Sequence, residues 1–397
     1  MVAATCAELG CDVLVVGGSG RVGASTLRWL DCLVRRRGKD IPLPRLAVGG
    51  RSLRRFQRTK RRLGLSNLAF VPVDLDGGKE ALINAIHGAK LVVHTAGPFQ
   101  GRSTPDLLSA CIAAGVPYCD VCDDYALSRH GKALTADAIA AGVPAVLSCG
   151  IWPGVSALMA ALAVEKLGGP AGCDRVELSF HTAGSGGAGP TIVSATFLLL
   201  ASKALTVVDN VPLLQQPWTD QRIIDFGGGV GKRACFLLDN PDVPTTVEAL
   251  GLANCTSRFG TAPDLWNCLF GAMRHVPAVL LNNRAAMQAL ASFSMPVIRV
   301  VDALVGATNA MRVDAFAREA ATNAVPAVSM RCIHPQLEDC VGQATAAFAV
   351  ELLKGRADCS CDDVTIHPGV WFPAELNATA RSNVLSVVKQ KALLWEM

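Results

Sequence analysis

The sequence lacks both a strong surplus of charge and a long uninterrupted apolar segment. Its 397 residues include 37 lysines and arginines against 33 aspartates and glutamates, a formal net charge of +4. So small a surplus argues against a general affinity for nucleic acid. The most apolar segments, residues 191–208 and 276–311, are interrupted by Lys203 and by Arg284 and Arg299, so neither supplies the roughly 20 consecutive apolar residues of a membrane span. We expect no transmembrane segment, while peripheral contact with a membrane surface is compatible with this composition.

Tyrosine and paired metal-binding motifs are also scarce. The two tyrosines, Tyr118 and Tyr125, are followed four residues later by Cys122 and Arg129 rather than by lysine, which disfavours the Tyr–Lys proton delivery of short-chain reductases. Cys119 and Cys122 form a C-x-x-C, but no second pair at zinc-like spacing accompanies it, and strand alternation places the two sulfurs on opposite faces. We therefore expect no metal site.

The N-terminus leaves no room for a signal peptide. The first ten residues, MVAATCAELG, lead almost directly into an apolar strand pattern. The 15 cysteines are therefore interpreted as reduced thiols rather than as a disulfide framework.

Length and periodicity predict two domains, because 397 residues exceed what a single core usually holds. Residues 12–147 alternate strand and helix patterns, a βαβ series that predicts an α/β fold, a Rossmann-type doubly wound parallel sheet with its ligand at the carboxyl ends of the strands. After Gly150 the pattern changes, and alternating runs at residues 311–317 and 328–334 predict a hairpin in a second, α+β mixed-sheet domain. The predicted parts are a dinucleotide-binding domain (1–152), a substrate or catalytic domain (153–340) and a C-terminal segment that returns to the first domain (341–397).

A glycine-rich turn follows the first strand. Residues 17–23, GGSGRVG, have both G-x-G-x-x-G and G-x-x-G-x-x-G spacing at a strand-to-helix junction. Gly18 and Gly20 lack the Cβ atoms that would hold the backbone away from a pyrophosphate, and Gly23 lets the helix lie close to the sheet. The residues predicted to bind the pyrophosphate are Gly17, Gly18, Ser19, Gly20, Arg21 and Val22.

The end of the second strand favours NADP over NAD. An acidic residue usually stands there in NAD sites, whereas residues 47–52 read AVGGRS, so Arg51 and Ser52 offer a guanidinium and a hydroxyl to a 2′-phosphate. The seven basic residues within 51–62 are interpreted as a solvated helix face that attracts this phosphate, not as a nucleic-acid site. Asp74, after the third strand, either accepts a hydrogen bond from the adenine amino group or caps the next helix.

Motifs spread over nearly the whole chain resemble the saccharopine dehydrogenase-like proteins, especially their plant and algal branch of uncharacterised oxidoreductases. The motifs are VVGGSGRVG (15–23), AVGGRS (47–52), HTAGPFQ (94–100), YCDVCDD (118–124), GIWPGVS (150–156), HTAGSGGAGPT (181–191), RFGTAP (258–263) and GVWFP (369–373). The resemblance implies that Ala96, Gly97, Pro98 and Phe99 line the nicotinamide half of the cofactor. Members of the plant branch are often directed to plastids, so the expected compartment is the plastid stroma, for a processed chain, or the cytoplasm.

Hydride transfer also needs a proton donor, for which the sequence offers several candidates. Asp123 and Tyr125 follow the fifth strand, and the ordinary pKa of His181, at the end of VELSFH, suits proton transfer near neutrality. Arg258 is suited to a substrate carboxylate, and the glycine-rich turn at 183–190 to an anionic group. Structural roles stay open for each: loop capping, a hydrogen-bonded imidazole, a surface ion pair and a plain turn.

The sequence therefore predicts an NADP(H)-dependent oxidoreductase that transfers hydride to or from an imine, carbonyl or enoyl group of a small metabolite. Because no proton donor is unmistakable, the alternative is a non-catalytic NADP(H)-binding subunit or sensor within a larger assembly. A homodimer or membership of such an assembly is compatible with either function.

Overall fold

The computed structural model describes residues 5–35, 44–186, 189–318, 325–354 and 364–397. The chain forms two compact units: Met1–Val155 with Val341–Val388, and Ser156–Cys340 with Lys389–Met397. The C-terminal segment thus contributes to the first unit as far as Val388, and its last residues lie in the second unit.

In its first pass through the first unit the chain alternates short strands with helices. The elements are α1 (Cys6–Leu9), β1 (Val13–Val16), α2 (Arg21–Arg35), β2 (Leu46–Gly50), α3 (Leu53–Leu63), β3 (Ala69–Pro72), α4 (Lys79–Ile86), β4 (Leu91–His94), α5 (Asp106–Ala113), β5 (Tyr118–Asp120), α6 (Tyr125–Lys132), α7 (Thr135–Ala140) and β6 (Pro144–Val146). β1 and β4 are buried along their whole length, as expected for parallel strands covered on both faces.

The middle of the chain is mixed. Its elements are α8 (Val155–Lys166), β7 (Cys173–Ala183), α9 (Pro190–Leu199), β8 (Ala204–Val208), β9 (Val211–Gln215), β10 (Arg222–Asp225), β11 (Lys232–Leu237), α10 (Asp242–Leu250), β12 (Cys255–Ala262), α11 (Asp264–Met273), α12 (Ala278–Leu281), α13 (Arg284–Val305), β13 (Asn309–Ala317) and β14 (Val328–His334). The remaining elements are α14 (Leu337–Lys354), β15 (Gly369–Trp371), α15 (Ala378–Val388) and β16 (Leu394–Glu396).

The first unit is built on a parallel sheet of order β15-β6-β5-β4-β1-β2-β3. The direction of winding reverses at β1, which pairs with β2 on one side and β4 on the other, and ligands bind at such switch points. Val16 of β1 is level with Gly49 of β2 and with His94 of β4. The residues that follow these three strands therefore begin at the same edge of the sheet.

The second unit contains a mixed sheet of order β10-β11-β12-β7-β13-β14-β16, with β8 and β9 attached beside β12. β7 and β12 are parallel, so that Ser179 is level with Arg258 and His181 with Gly260. β13 and β14 are antiparallel, which agrees with the predicted hairpin. The prediction of a Rossmann-type doubly wound sheet with a second α+β mixed-sheet domain is confirmed.

One helix of the second unit departs from the sequence-based expectation about membrane spans. By length and composition alone, α13 could cross a membrane. Its most apolar window has a mean hydropathy of 1.4, and 17% of the residues in that window are buried. The interruption expected from Arg284 and Arg299 is weak because Arg284 is the first residue of the helix and Arg299 lies, with Asp302, in its C-terminal third.

Candidate functional site

The glycine-rich loop joins β1 to α2 at the switch point of the first unit. The Gly17 N–H donates to the Gly49 carbonyl at 2.9 Å, and the Gly20 N–H donates to the Gly17 carbonyl at 2.8 Å. Gly17 has a φ of +83°, a conformation that favours glycine. A Cβ on Gly23 would lie 2.5 Å from the Gly17 oxygen and 2.6 Å from Thr95 Oγ1. Gly23 therefore lets α2 pack against the loop, as the sequence predicted.

The predicted phosphate-binding residues divide into a buried and an accessible group. Gly18 is buried, and a Cβ there would lie 2.9 Å from the Val15 oxygen, so packing of the fold already requires glycine at this position. Ser19, Gly20 and the first helical residues Arg21 and Val22 are accessible to solvent. Because the first N–H groups of a helix have no intrahelical acceptor, these accessible residues can receive an anionic group.

The segment after β4 lies directly against this loop. A Cβ on Gly17 would be 2.6 Å from the Ala96 nitrogen. Ala96, Gly97 and Pro98 are accessible, with a cis peptide bond between the last two. The segment assigned to the nicotinamide thus adjoins the segment assigned to the pyrophosphate.

Phe99 differs from its three neighbours because its ring is buried. The ring packs edge-on against His94, with centroids 4.9 Å apart, and contacts the apolar side chains of Cys122 and Leu127. The buried Phe99 ring therefore holds the 96–98 backbone in place from the protein interior. Its side chain does not line an accessible surface, where a nicotinamide could contact it.

At the end of β2, Arg51 and Ser52 begin the basic helix α3. Arg51 is exposed and has no ion-pair partner among the residues that the structure describes. The Ser52 hydroxyl caps α3 by accepting from the Arg55 N–H at 3.3 Å, and it keeps its own hydrogen for another acceptor. Thr59 of α3 donates to the Ser19 carbonyl at 3.4 Å, which ties this helix to the glycine loop.

Asp74 lies exposed in the turn after β3. Its Oδ1 accepts from the Asp76 N–H at 3.3 Å, while α4 is capped at Gly78 without a side-chain hydrogen bond. The helix-capping alternative is thus wrong, because the side chain closes a local turn. The hydrogen bond to the adenine amino group, which the other carboxylate oxygen could accept, stays a prediction.

A buried chain of polar side chains below Phe99 was not predicted. Tyr118 Oη donates to Asp120 Oδ2 at 3.0 Å, so its oxygen accepts from His94 Nδ1 at 2.9 Å. Asp120 Oδ1 accepts from the backbone N–H groups of Cys122 and Ser148. Tyr118 and Asp120 are two residues apart on β5, beside β4, and this same-face spacing on adjacent strands is the signal that could have revealed the chain.

Burial sets the protonation of this chain. It lowers the pKa of His94 to about 3, aided by the positive charge of Arg102, and raises the pKa of Tyr118 above its usual range. Burial also raises the pKa of Asp120 to about 6 against the opposing effect of its hydrogen bonds. A cavity of about 20 Å³ beside His94 and Tyr118 has room for one water molecule. We interpret the chain as support for the 96–99 segment.

Asp123 and Tyr125 lie where the sequence placed them, after β5 in the first unit. Asp123 is exposed, yet desolvation by surrounding groups raises its pKa, and a side-chain hydrogen bond from Gln100 opposes that rise. Gln100 follows Phe99 directly, so Asp123 adjoins the nicotinamide segment. Tyr125 is half-buried at the start of α6, next to Asp124, whose carboxylate caps that helix.

His181 does not have the environment expected of a proton donor. It is 1% exposed in β7, and neither ring nitrogen has a hydrogen-bond partner in the described part of the chain. Burial, with a smaller effect of Arg233, lowers its pKa to about 4. The ring packs against that of Phe226, with 5.7 Å between the ring centroids. The expected pKa near neutrality is therefore wrong, because the imidazole is a neutral core group of the second unit.

Arg258 is likewise paired with other residues of the second unit. It is 1% exposed; its guanidinium forms an ion pair with Asp220 and donates to Thr256 Oγ1 at 3.1 Å. Although partial burial opposes ionisation of Asp220, the hydrogen bond from Arg258 and the nearby charges of Arg258 and Arg222 hold its pKa below the ordinary value. This internal pairing replaces the expected bond to a substrate carboxylate.

The glycine-rich turn after β7 binds the carboxylate of Asp302, a residue of the same chain. The Ser185 N–H and Oγ–H donate to the two Asp302 oxygens at 2.7 and 2.6 Å, and Gly184 has a φ of +57°. Residues 187 and 188 of the predicted turn lie outside the described residues. Within those residues no cluster of three metal-ligating side chains occurs.

The geometry of the first unit defines a dinucleotide-binding protein. Residues 13–146 match the family model of the saccharopine dehydrogenase NADP-binding domain. No curated protein matches the chain in sequence. The fold is similar to that of apo saccharopine dehydrogenase (L-Glu forming) from Saccharomyces cerevisiae, with 13% identity, a TM-score of 0.61 and coverage of 98% of this chain and 99% of that one.

A more distant structure is the DAP dehydrogenase of C. glutamicum in complex with DAP. It has 11% identity and a TM-score of 0.42, and the match covers 96% of this chain and 98% of that one. The family match shows that residues 13–146 are a saccharopine dehydrogenase-type NADP-binding domain, with NADP(H) as its cofactor, and the yeast structure shows that the chain has the saccharopine dehydrogenase fold. The plant and algal branch stays a prediction.

Proposed function

We propose that the protein transfers hydride between NADP(H) and an imine, carbonyl or enoyl group of a small metabolite. The observation that carries this proposal is the contact of the glycine loop with the segment at residues 96–98, in which Gly17 and Ala96 meet. The accessible backbone of Gly97 and Pro98 leaves the approach to a nicotinamide ring free of large side chains. NADPH supplies the hydride when it is bound.

We assign the proton transfer to Asp123. Of the four candidates from the sequence, it alone combines an exposed side chain with a hydrogen bond to a residue that follows the nicotinamide segment, Gln100. A carboxyl group at this position can donate a proton to the nitrogen or oxygen of the reduced bond. In the oxidative direction the same carboxylate accepts that proton.

Two measurements test this function. NADPH binding is followed by fluorescence up to roughly 100 μM, above common KM values, and turnover is followed by NADPH absorbance in a panel of imines, carbonyls and enoyl compounds. Asp123→Asn is expected to lower kcat by about 100-fold, the usual contribution of a general acid, with unchanged NADPH affinity. Asp137→Asn, an exposed carboxylate of α7, is the matched control. Full activity of the Asp123 variant contradicts the assignment.

A non-catalytic NADP(H)-binding subunit or sensor is the second candidate. The observation that favours it is the sequestration of His181 and Arg258, which removes two expected catalytic groups from reach of a ligand. Tight NADPH binding without turnover across the panel, together with co-purification of a partner protein, would favour this function over the first. Plastid stroma and cytoplasm stay predictions for the compartment.

A further inference from the structure

An open groove lies in the second unit between α11 and the turn that precedes β10. Its volume is about 660 Å³, within the range of small-molecule sites. One wall comprises residues 218–221 and Phe236 of β11. The other wall is one face of α11, with Asp264, Asn267, Cys268, Gly271 and, just beyond the helix end, Arg274. All of these residues belong to the second unit, and none is assigned to NADP(H) or to proton transfer.

An aromatic pair forms the apolar part of the groove. Trp218 stacks on Phe236 with ring centroids 5.2 Å apart and ring planes 13° from parallel. The indole is 2% exposed, and its Nε1 donates to the Asn267 carbonyl at 2.8 Å. Phe236 is half-buried, and because Trp218 covers one face of its ring, the exposed part of the ring is directed away from Trp218. A planar group can therefore pack on Phe236, whose ring is held in place from behind.

The turn at this wall has an unusual backbone. Trp218 and Asp220 have φ values of +59° and +48°, in the left-handed region that favours glycine. Two hydrogen bonds hold Trp218: its N–H donates to the Leu237 carbonyl at 2.7 Å, and its carbonyl accepts from Arg274 Nη1 at 2.9 Å. Non-glycine residues keep such costly conformations where the surroundings enforce them, and they cluster at functional sites. The turn thus has the character of a built site rather than of an ordinary surface loop.

Arg274 brings a positive charge to the groove, and the described residues contain no ion-pair partner for it. Its side chain is half-buried, and Nε donates to His275 Nε2 at 3.2 Å while Nη1 donates to the Trp218 carbonyl. Both acceptors are neutral, and Nη2 has no partner in the described part of the chain. A half-buried guanidinium with free N–H groups and no counter-charge favours an anionic ligand.

The two carboxylates of the groove do not offset this charge. Asp220 is paired with the buried Arg258, and Arg222 lies near the same carboxylate. Asp264 begins α11, whereas Arg274 follows its last residue, so a rise of about 1.5 Å per residue places them roughly 15 Å apart along the helix axis. The groove therefore has an anion site at its Arg274 end, joined to the aromatic pair through Trp218.

We propose that this groove binds a small aromatic carboxylate, whose ring packs on Phe236 and whose carboxylate accepts hydrogen bonds from Arg274 Nη2. The aromatic surface and the guanidinium together specify this class of ligand. A neutral aromatic molecule leaves the charge of Arg274 uncompensated, and an aromatic amine is repelled by it. The proposal does not rest on the hydride-transfer function, and its test needs no turnover.

Three probes with one ring system and different charges test the proposal on the full chain: 2-naphthoate, 2-naphthamide and 2-naphthylmethylamine. In equilibrium dialysis we expect a Kd of about 1 mM or below for 2-naphthoate and at least roughly tenfold weaker binding of the other two. Cys268 is the one exposed cysteine among the described residues, so it reports where the probe binds. Saturating 2-naphthoate should slow its alkylation by iodoacetamide about fivefold or more, read by mass spectrometry of the peptide that contains it.

Two substitutions separate the groove from the fold. Arg274→Gln should weaken 2-naphthoate binding about tenfold or more, with Arg299→Gln, an exposed arginine of α13, as its control. Gly271→Leu should block the groove: a Cβ there would meet only Trp218 Cδ1, at 3.5 Å, so the side chain fits into the space that the ligand needs. Gly271→Ala adds too little volume to fill the groove and should bind normally. Thermal unfolding and NADPH binding verify that each variant is folded.

Four results overturn the proposal. The first is absence of 2-naphthoate binding up to about 5 mM, a concentration above the expected Kd. The others are binding that leaves alkylation of Cys268 unchanged, equal affinity for the amide or the amine, and a Gly271→Leu variant that binds like the unaltered chain. If Arg274→Gln is poorly folded, Gly271→Leu and the three probes decide the result on folded protein.

Discussion

Gly17 and Ala96 approach so closely that a Cβ on the first would lie 2.6 Å from the backbone nitrogen of the second. The two residues follow adjacent parallel strands, β1 and β4, whose carboxyl ends are level. Real Cβ atoms do not tolerate such a distance, and here the neighbour is backbone that cannot rotate away. The close approach therefore unites two segments that are far apart in the sequence into one edge of the NADP(H) site.

Substitutions in the glycine loop should separate folding from binding. Gly17→Ala is expected to lower the free energy of unfolding by at least about 2 kcal/mol, because a positive φ and a backbone clash act together. In Gly20→Ala the new Cβ would lie 3.1 Å from the Gly17 oxygen, a milder clash at a position without a positive φ, so stability should fall less than in Gly17→Ala while NADPH affinity falls. Chemical denaturation and fluorescence titration measure the two effects. Equal stability of both variants would contradict the role of the Gly17–Ala96 contact.

Removal of the Arg51 guanidinium should discriminate between the two nicotinamide cofactors. Arg51→Ala is expected to weaken NADPH binding by about 1–3 kcal/mol, the range for charge-assisted hydrogen bonds, with little effect on NADH. Arg62→Ala, an exposed arginine at the other end of α3, is the control and should leave both affinities unchanged. If NADPH and NADH weaken equally in the Arg51 variant, the guanidinium does not contact the 2′-phosphate.

Candidate residues for the cofactor half of the site could be proposed from the sequence because their signals are local. The glycine loop and Arg51 each depend on a few consecutive residues at the end of a strand, and a strand end is visible in the hydrophobic pattern. The relation of Ala96 to the loop followed from the order of parallel strands. These inferences needed no knowledge of how distant side chains pack.

The second unit was harder because distant residues decide what each polar group does. Arg258 is satisfied by Asp220, 38 residues away, and Ser185 by Asp302, 117 residues away. No pattern of neighbouring residues in the sequence predicts partners so far apart. In the sequence His181 stands at the end of an apolar strand pattern, where catalytic residues are common, yet it lies within β7, and its burial depends on packing that one sequence does not reveal.

The buried chain below Phe99 should contribute measurably to stability. Tyr118→Phe removes the hydroxyl that joins His94 to Asp120 and leaves two buried polar groups with fewer partners. We expect the free energy of unfolding to fall by about 1–3 kcal/mol, the cost of unsatisfied buried groups. Urea denaturation measures it. A loss below about 0.5 kcal/mol, typical of neutral surface changes, would show that the hydrogen bonds do not support the fold.

Asp242, the first residue of α10, is a buried carboxyl of the second unit whose ionisation should make stability depend on pH. It is fully buried and accepts a hydrogen bond from the Ser156 hydroxyl, while its Oδ2 has no partner among the described residues. Burial raises its pKa to about 7, despite the opposing effect of the Ser156 hydrogen bond. The folded protein therefore holds this proton over a range in which the unfolded chain has released it.

The resulting pH dependence has a definite sign. Below the unfolded pKa of about 4 both states are protonated and the stabilising contribution is complete; as the pH rises toward 7 the unfolded state ionises first, and the contribution is lost. Asp242→Asn keeps a neutral acceptor for Ser156 but cannot ionise. Relative to this variant, the unaltered chain should lose on the order of 2–4 kcal/mol between about pH 4 and pH 7. Denaturation across this range measures the difference, with Asp137→Asn, an exposed carboxylate, as control. Parallel curves for the unaltered chain and Asp242→Asn would show that Asp242 ionises in the folded protein as readily as in the unfolded one.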